Sequence, residues 1–175
     1  MAKKKEVRFG APATTPRGTL LDDEFLAKVD TDETYGKNRY HIQVAFEKDA
    51  DLSALKKSID DLKKQCIEDE YFSEDDMLGM PFVTDSDWDP AKGKIVIKPR
   101  TSKRPMYLNW EKEHIDPDLI QAGMSVQIRV TPMAYNASAT VKGITLNFKM
   151  IRADIGAEYT PIVSGAEDPE AVFTD

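Results

Sequence analysis

The chain has 175 residues, a net charge of −7, 41% hydrophobic residues, one cysteine and two histidines. That size and composition suit one globular domain with a sizeable core. The single Cys66 excludes an intramolecular disulfide. No apolar run approaches the roughly 18 residues of a membrane span. The start, Met1-Ala2-Lys3-Lys4-Lys5, is basic with no apolar stretch behind it, so a secretory signal is not expected.

Residues 1–21 read as a basic arm entering an edge strand, broken by Pro12, Pro16 and Gly18. Asp22 to Asn38 is polar and reads as a loop with a short helical turn near Phe25 and Leu26. Arg39 to Phe46 alternates: Tyr40, Ile42, Val44 and Phe46 share one face, and Arg39, His41, Gln43 and Ala45 the other. Period two over this length predicts a half-buried strand. Asp51 to Ile67 predicts the one prominent helix. Leu52, Leu55, Ile59, Leu62 and Cys66 form its apolar stripe, and Asp51 is a candidate N-cap. Cys66 completes that stripe and reads as a small core residue.

Glu68 to Pro90 is an acidic connector. Lys94 to Arg100 alternates again, and Pro105 to Trp110 continues the sheet after a bend. Asp116-Pro117-Asp118 opens a single turn ending at Gly123. Met124 to Tyr135 predicts a strand with Val126, Ile128 and Val130 inward. Thr140 to Ile151 predicts another with Ile144, Leu146, Phe148 and Met150 inward, joined to the first by a hairpin at Asn136 to Ala139. No period of 20–50 residues recurs. The tally is a mainly β protein: an OB-fold-like antiparallel barrel with one inserted α-helix.

Charge is segregated along the chain. Residues 67–90 hold nine acids and no Lys or Arg, whereas 91–112 hold seven basic residues against Glu111 alone. An acidic protein can therefore carry a basic stripe, and the stripe sets its local affinity for phosphate.

Motifs for several chemistries are missing. Neither GxxxxGK[ST], GxGxxG nor GxSxG occurs. Asp85-Ser86-Asp87-Trp88-Asp89 imitates the start of a calcium loop, but Pro90 stands where Gly is needed and Val96 where Glu is needed. No catalytic residue, metal site or cofactor is expected.

Binding of single strands needs cations along the phosphates and flat apolar faces under the bases. The run from Lys94 to Trp110 supplies both. Lys98 and Arg100 share a strand face, Ser102, Lys103 and Arg104 sit in a turn closed by Pro105, and Tyr107 and Trp110 follow. Arg39, His41, Arg129, Tyr135 and Lys149 extend the candidate set. The same residues also allow a plainer reading, with a charged surface strand and both aromatics half-buried.

The final stretch, Gly165 to Asp175, carries Glu167, Asp168, Glu170 and Asp175, no cation, and Phe173 near its end. It is too short and charged to bury a core and is expected to be a mobile tail. The expected organisation is a binding domain over 1–163 and an acidic partner-binding tail over 164–175.

Four blocks in this order resemble the phage single-stranded DNA-binding proteins with an OB-fold. They are RYHIQVAFEKDADLSALKKSIDDLKK (39–64), the Ser-Lys-Arg-Pro turn (102–105), AGMSVQIRVTPMAYN (122–136) and the tail ending AVFTD. The resemblance implies sequence-independent single-stranded DNA binding without catalysis, in phage DNA replication, recombination and repair. It implies action in the cytoplasm of an infected bacterium. The implied partners are single-stranded DNA and replication or recombination proteins held by the tail, with no membrane; a homodimer is compatible with it. By position it points to Ser102, Lys103, Arg104, Pro105, Tyr135 and Asn136. The chain departs from the family in its last hairpin, where Ala137-Ser138-Ala139 replaces a Gly-rich turn. Two alternatives stay open on the residues alone: a protein-interaction module on the same barrel, and a metal-dependent nuclease or annealing factor using Asp85 to Asp89. The opposed charges of tail and basic run also suggest that the tail competes with DNA for the groove.

Overall fold

The computed structural model describes residues 5–156. Its strands are β1 (Lys5–Phe9), β2 (Ala13–Thr14), β3 (Gly18–Asp30), β4 (Arg39–Phe46), β5 (Ile95–Ile97), β6 (Arg100–Thr101), β7 (Met106–Asn109), β8 (Ser125–Asn136) and β9 (Lys142–Ala153). Helix α1 (Ser53–Glu68) lies between β4 and β5.

The pairings run in a ring. Strand β3 pairs antiparallel with β4, β4 with β5 and β6, β9 with β8, and β8 returns to β3 through Gly18↔Val126 and Thr19↔Ser125. One junction is parallel, β6 beside β9 through Arg100↔Asn147. This is the OB-like arrangement the sequence leads one to expect, with β1 and β7 added at its margins. Inside the ring lie Leu20, Ile42, Val44, Phe46, Val126, Ile128, Val130, Ile144, Leu146, Phe148 and Ile151, all buried. Alternation along β4, β8 and β9 puts these residues inward and leaves their neighbours facing out.

The helix packs its apolar stripe beside β2 and β8. Leu52, Leu55, Ile59, Leu62 and Cys66 are all buried, as their spacing predicts. Asp51 precedes the helix, and its carboxylate accepts from the Ser53 amide at 3.1 Å. Burial pushes the Cys66 thiol above its ordinary pKa, which fits a core residue. Ser58 donates to the Ala11 carbonyl, tying the helix to the β1–β2 connection.

Two expectations are corrected. Residues 22–30 are strand rather than loop: β3 pairs with β4 through register shifts at Asp22, Phe25 and Asp30. Those shifts break the period of two, but Leu20 and Leu26 still reach the core. Met150 faces outward. A bulge between Arg129 and Val130 adds a residue to β9, so Phe148 and then Ile151 point inward and Met150 is displaced to the other face.

The acidic connector forms a strap that hydrogen-bonds to the edges of β9 and β5. Gly79 donates to the Lys142 carbonyl at 3.1 Å and accepts from the Ile144 amide at 2.8 Å. Val83 and Val96 exchange backbone bonds at 2.9 and 2.8 Å. Gly143 permits this approach, because a Cβ there would lie 2.3 Å from the Gly79 carbonyl oxygen. Asp76 clamps the strap through Lys142 Nζ at 2.6 Å. Hydrogen bonding to that lysine, first among its causes, holds the Asp76 carboxyl below the usual carboxylate range.

Candidate nucleic-acid interface

The outward residues of the β8–β9 ribbon form the floor of a groove. On β9 these are Thr145, Asn147 and Lys149, and on β8 Tyr135, Met133 and Thr131. Paired registers Met133↔Thr145 and Thr131↔Asn147 set them side by side. Strand β6 runs along the other side of β9 and brings Arg100 next to Asn147.

Two cavities share this floor. The first, about 250 Å³, is lined by Lys98, Arg100, Tyr135 and Thr145, with strap residues Gly79, Met80, Pro81 and Val83 as one wall. The second, about 600 Å³, is lined by Thr101, Ser102, Lys103, Arg104, Thr131, Asn147 and Lys149, with Phe9, Gly10 and Pro12 opposite. Thr145 and Asn147 are successive outward positions of one strand, so the cavities are contiguous, about 7 Å from floor to floor.

The electrostatics favour an anion. Among the described residues, no carboxylate pairs with Lys98, Arg100, Lys103, Arg104 or Lys149. Among the described residues, the buried Nε of Arg100 and Oγ1 of Thr131 have no hydrogen-bond partner. An unmet donor on a buried guanidinium is costly unless a ligand supplies its acceptor. Arg39 stands near enough for the like charge of Arg100 to depress its pKa, after the larger effect of its own burial. Two guanidiniums held together in this way attract a phosphate placed between them.

The structure gathers Lys98, Arg100 and Tyr135 in the first cavity and Ser102, Lys103, Arg104 and Lys149 in the second. Arg39 and His41 lie on β4, with His41 directly opposite Arg100. His41 Nε2 meets Asp30 Oδ2 at 2.8 Å, and its ring lies 4.9 Å from that of Phe25. Arg39 Nε donates to the Gly36 carbonyl at 3.1 Å.

Three predicted residues fall elsewhere. Tyr107 is 4% exposed, and its hydroxyl donates to the Leu26 carbonyl. Burial raises its pKa to about 12. Its ring offers no free face to a base, so the stacking role expected for it is corrected to a core role. Trp110 is half-buried, and two guanidiniums lie over its ring: Arg17 at 3.7 Å and Arg152 at 4.1 Å from its centroid. Arg129 lies farther along the outer face of β8 and donates to Thr14 Oγ1 at 2.9 Å. The tail residues Glu167, Asp168, Glu170, Phe173 and Asp175 lie outside the described residues.

Sequence reasoning missed the strap and the part that the β1 arm plays at the groove. Phe9, 57% exposed, and Met80, 44% exposed, supply apolar rims to the second and first cavities. The signal was faint: Gly79 and Gly143 contact one another across 64 residues, and neither glycine belongs to a turn motif.

Ring, inserted helix and outward basic groove define an OB-like fold of the kind used to hold nucleic acids and oligosaccharides. Solved structures similar to this one include phage single-stranded DNA-binding proteins. That of bacteriophage Enc34 in complex with ssDNA superposes with a TM-score of 0.65 at 22% identity, covering 86% of this chain and 88% of that one. A further structure of the Enc34 protein gives 0.62 at 22% identity, covering 92% and 89%. The single-stranded DNA-binding protein gp2.5 of bacteriophage T7 gives 0.62 at 14% identity, covering 90% and 97%. No family model and no curated protein sequence matches the chain.

Proposed function

We propose that this protein binds single-stranded DNA without regard to sequence, through the groove along β9. Lys98, Arg100, Lys103, Arg104 and Lys149 displace counterions from successive phosphates, with Arg39 and His41 at the β4 side. Tyr135 and Phe9 offer ring faces to bases, and Ser102, Thr131 and Asn147 offer neutral hydrogen bonds. Contacts of this kind read a backbone and a π-face, both common to every nucleotide. The groove works by binding alone, with no catalytic step. The carrying observation is a set of cations without carboxylate partners among the described residues, around an Arg100 Nε unsatisfied by those residues, in a protein of net charge −7. The ssDNA complex of the Enc34 protein, which shares the fold, supports the reading.

On this proposal residues 1–163 form the binding domain, and the tail over 164–175 engages replication and recombination proteins through its acids and Phe173. The setting is phage DNA metabolism in the cytoplasm of an infected bacterium. On the same proposal the tail competes weakly with DNA for the basic groove, through its opposite charge.

The test is anisotropy of labelled oligo-dT across a range of salt concentrations, repeated with oligo-dC. The proposal predicts similar affinity for both and a log–log salt slope of several units, at about 0.7 per phosphate neutralised. No binding at low salt, with residues 165–175 deleted to remove self-competition, overturns it.

A further inference from the structure

The outer face of β8 and β9 does not stop at the second cavity. Beyond Thr131 the next outward positions of β8 are Arg129 and Gln127, paired with Met150 and Arg152 of β9. They line a third cavity of about 220 Å³, with Leu108 and Lys112 at its side and Thr14 at its edge. From Tyr135 to Gln127 the outward residues span eight positions of one strand, about 26 Å. The three cavities are therefore successive stations on one ribbon.

The third station has its own chemistry. Its floor is apolar, through Leu108 and Met150, and its rim carries Lys112, Arg129 and Arg152. The two guanidiniums are held by neutral acceptors. Arg129 bonds Thr14 Oγ1 at 2.9 Å, and Arg152 bonds Gln127 Oε1 at 2.8 Å and the Trp110 carbonyl at 3.1 Å. Each is oriented while its charge stays uncompensated, and no carboxylate pairs with either among the described residues. The Lys112 backbone is set as well. It adopts a φ of +66° in a turn clamped by Asn109, whose amide donates to the Glu113 carboxylate at 2.9 Å.

We infer that the third cavity is a further single-strand subsite, in which Lys112, Arg129 and Arg152 hold phosphates and Leu108 and Met150 support a base, so that a longer strand runs from the groove along the whole β8–β9 ribbon. The inference rests on the groove reading above and extends it. Trp110 is a built-in reporter of this subsite, because its ring centroid lies 4.1 Å from the Arg152 guanidinium. A phosphate arriving at Arg152 changes the field on that ring.

The experiment uses the full chain with Trp88→Phe, which leaves Trp110 as the only tryptophan. Oligo-dT of about 4 and about 12 nucleotides brackets the range of site sizes for one OB-fold. Binding is read by anisotropy of labelled strands, and Trp110 emission by titration with unlabelled ones. The expected result is that both lengths bind and only the longer changes Trp110 emission. The salt slope should be about 2 units steeper for the longer strand, from three added phosphates at about 0.7 each. The double variant Lys112→Ala/Arg129→Ala should weaken the 12-mer about tenfold and reduce its slope by about 1.4. Equal slopes for the two lengths, with Trp110 silent, overturn the inference while leaving the groove intact. Wild-type 12-mer binding by the folded double variant does the same. Failure of both lengths to bind removes the groove reading and this one with it.

Discussion

Helix α1 and the groove carry similar numbers of cations and use them in opposite ways. The helix presents Lys56, Lys57, Lys63 and Lys64 among Asp60, Asp61, Glu68 and Asp69, four charges of each sign. Lys57 pairs with Asp61 at 2.7 Å, and Asp69 takes up Arg8 of the β1 arm. The groove presents Lys98, Arg100, Lys103, Arg104 and Lys149, and no acid occurs between Ala91 and Trp110 or along β9. A net charge of −7 therefore says little about what this surface attracts. What matters is that acids are placed on the helix face, where they offset its lysines, and along the strap, and are withheld from β6 and β9. Mixed charge makes a solvated face, and segregated charge makes a field that concentrates phosphate.

Variants on either side of this contrast sharpen it. The largest expected effect lies beneath the groove. Phe148 is fully buried under its floor, and Phe148→Ala should cost about 3–5 kcal/mol of stability in urea unfolding. Next is the strap. A methyl group at Gly143 meets the Gly79 backbone at 2.3 Å, so Gly143→Ala should destabilise by about 1–3 kcal/mol, seen as a lower urea midpoint. It should also open the wall of the first cavity, seen as faster proteolysis of residues 76–84. Deleting 165–175 comes third, with an expected rise in single-strand affinity of about threefold at low salt that vanishes as salt screens the tail. The smallest effect concerns acid. Asp76 is held below its ordinary pKa, so its bond to Lys142 stabilises the fold above about pH 4 and is lost as pH falls through the depressed value. The stability difference between wild type and Asp76→Asn should be present at pH 7 and shrink as pH falls below the ordinary carboxylate range.

Legibility followed periodicity. Strands β4, β8 and β9 and helix α1 could be read because Ile42, Val44, Phe46, Val126, Ile128, Val130, Ile144, Leu146 and the stripe to Cys66 repeat at two or at three to four residues. Strand β3 could not, because Asp22-Asp23-Glu24 and three register shifts erase its alternation while pairing with β4 supplies the order. Met150 was misplaced by a bulge, which inverts the facing of every residue beyond it. Of the candidate site, Lys98, Arg100 and the 102–104 turn were legible as cations without nearby acids. Tyr107 was not, since a tyrosine after a basic turn reads alike whether its hydroxyl meets solvent or the Leu26 carbonyl. The strap was invisible because backbone bonds and a glycine–glycine contact hold it, and neither leaves a side-chain pattern.

The central claim is that segregated cations in the groove, rather than cations in general, bind the strand. The direct measurement is the salt dependence of oligo-dT binding for wild type, Lys98→Ala/Arg100→Ala and Lys63→Ala/Lys64→Ala, with folding checked by circular dichroism. The account predicts that the groove variant loses about 1.4 units of log–log slope and at least tenfold in affinity, while the helix variant stays within about twofold of wild type. Equal losses in the two variants, or none in the groove variant, would contradict it.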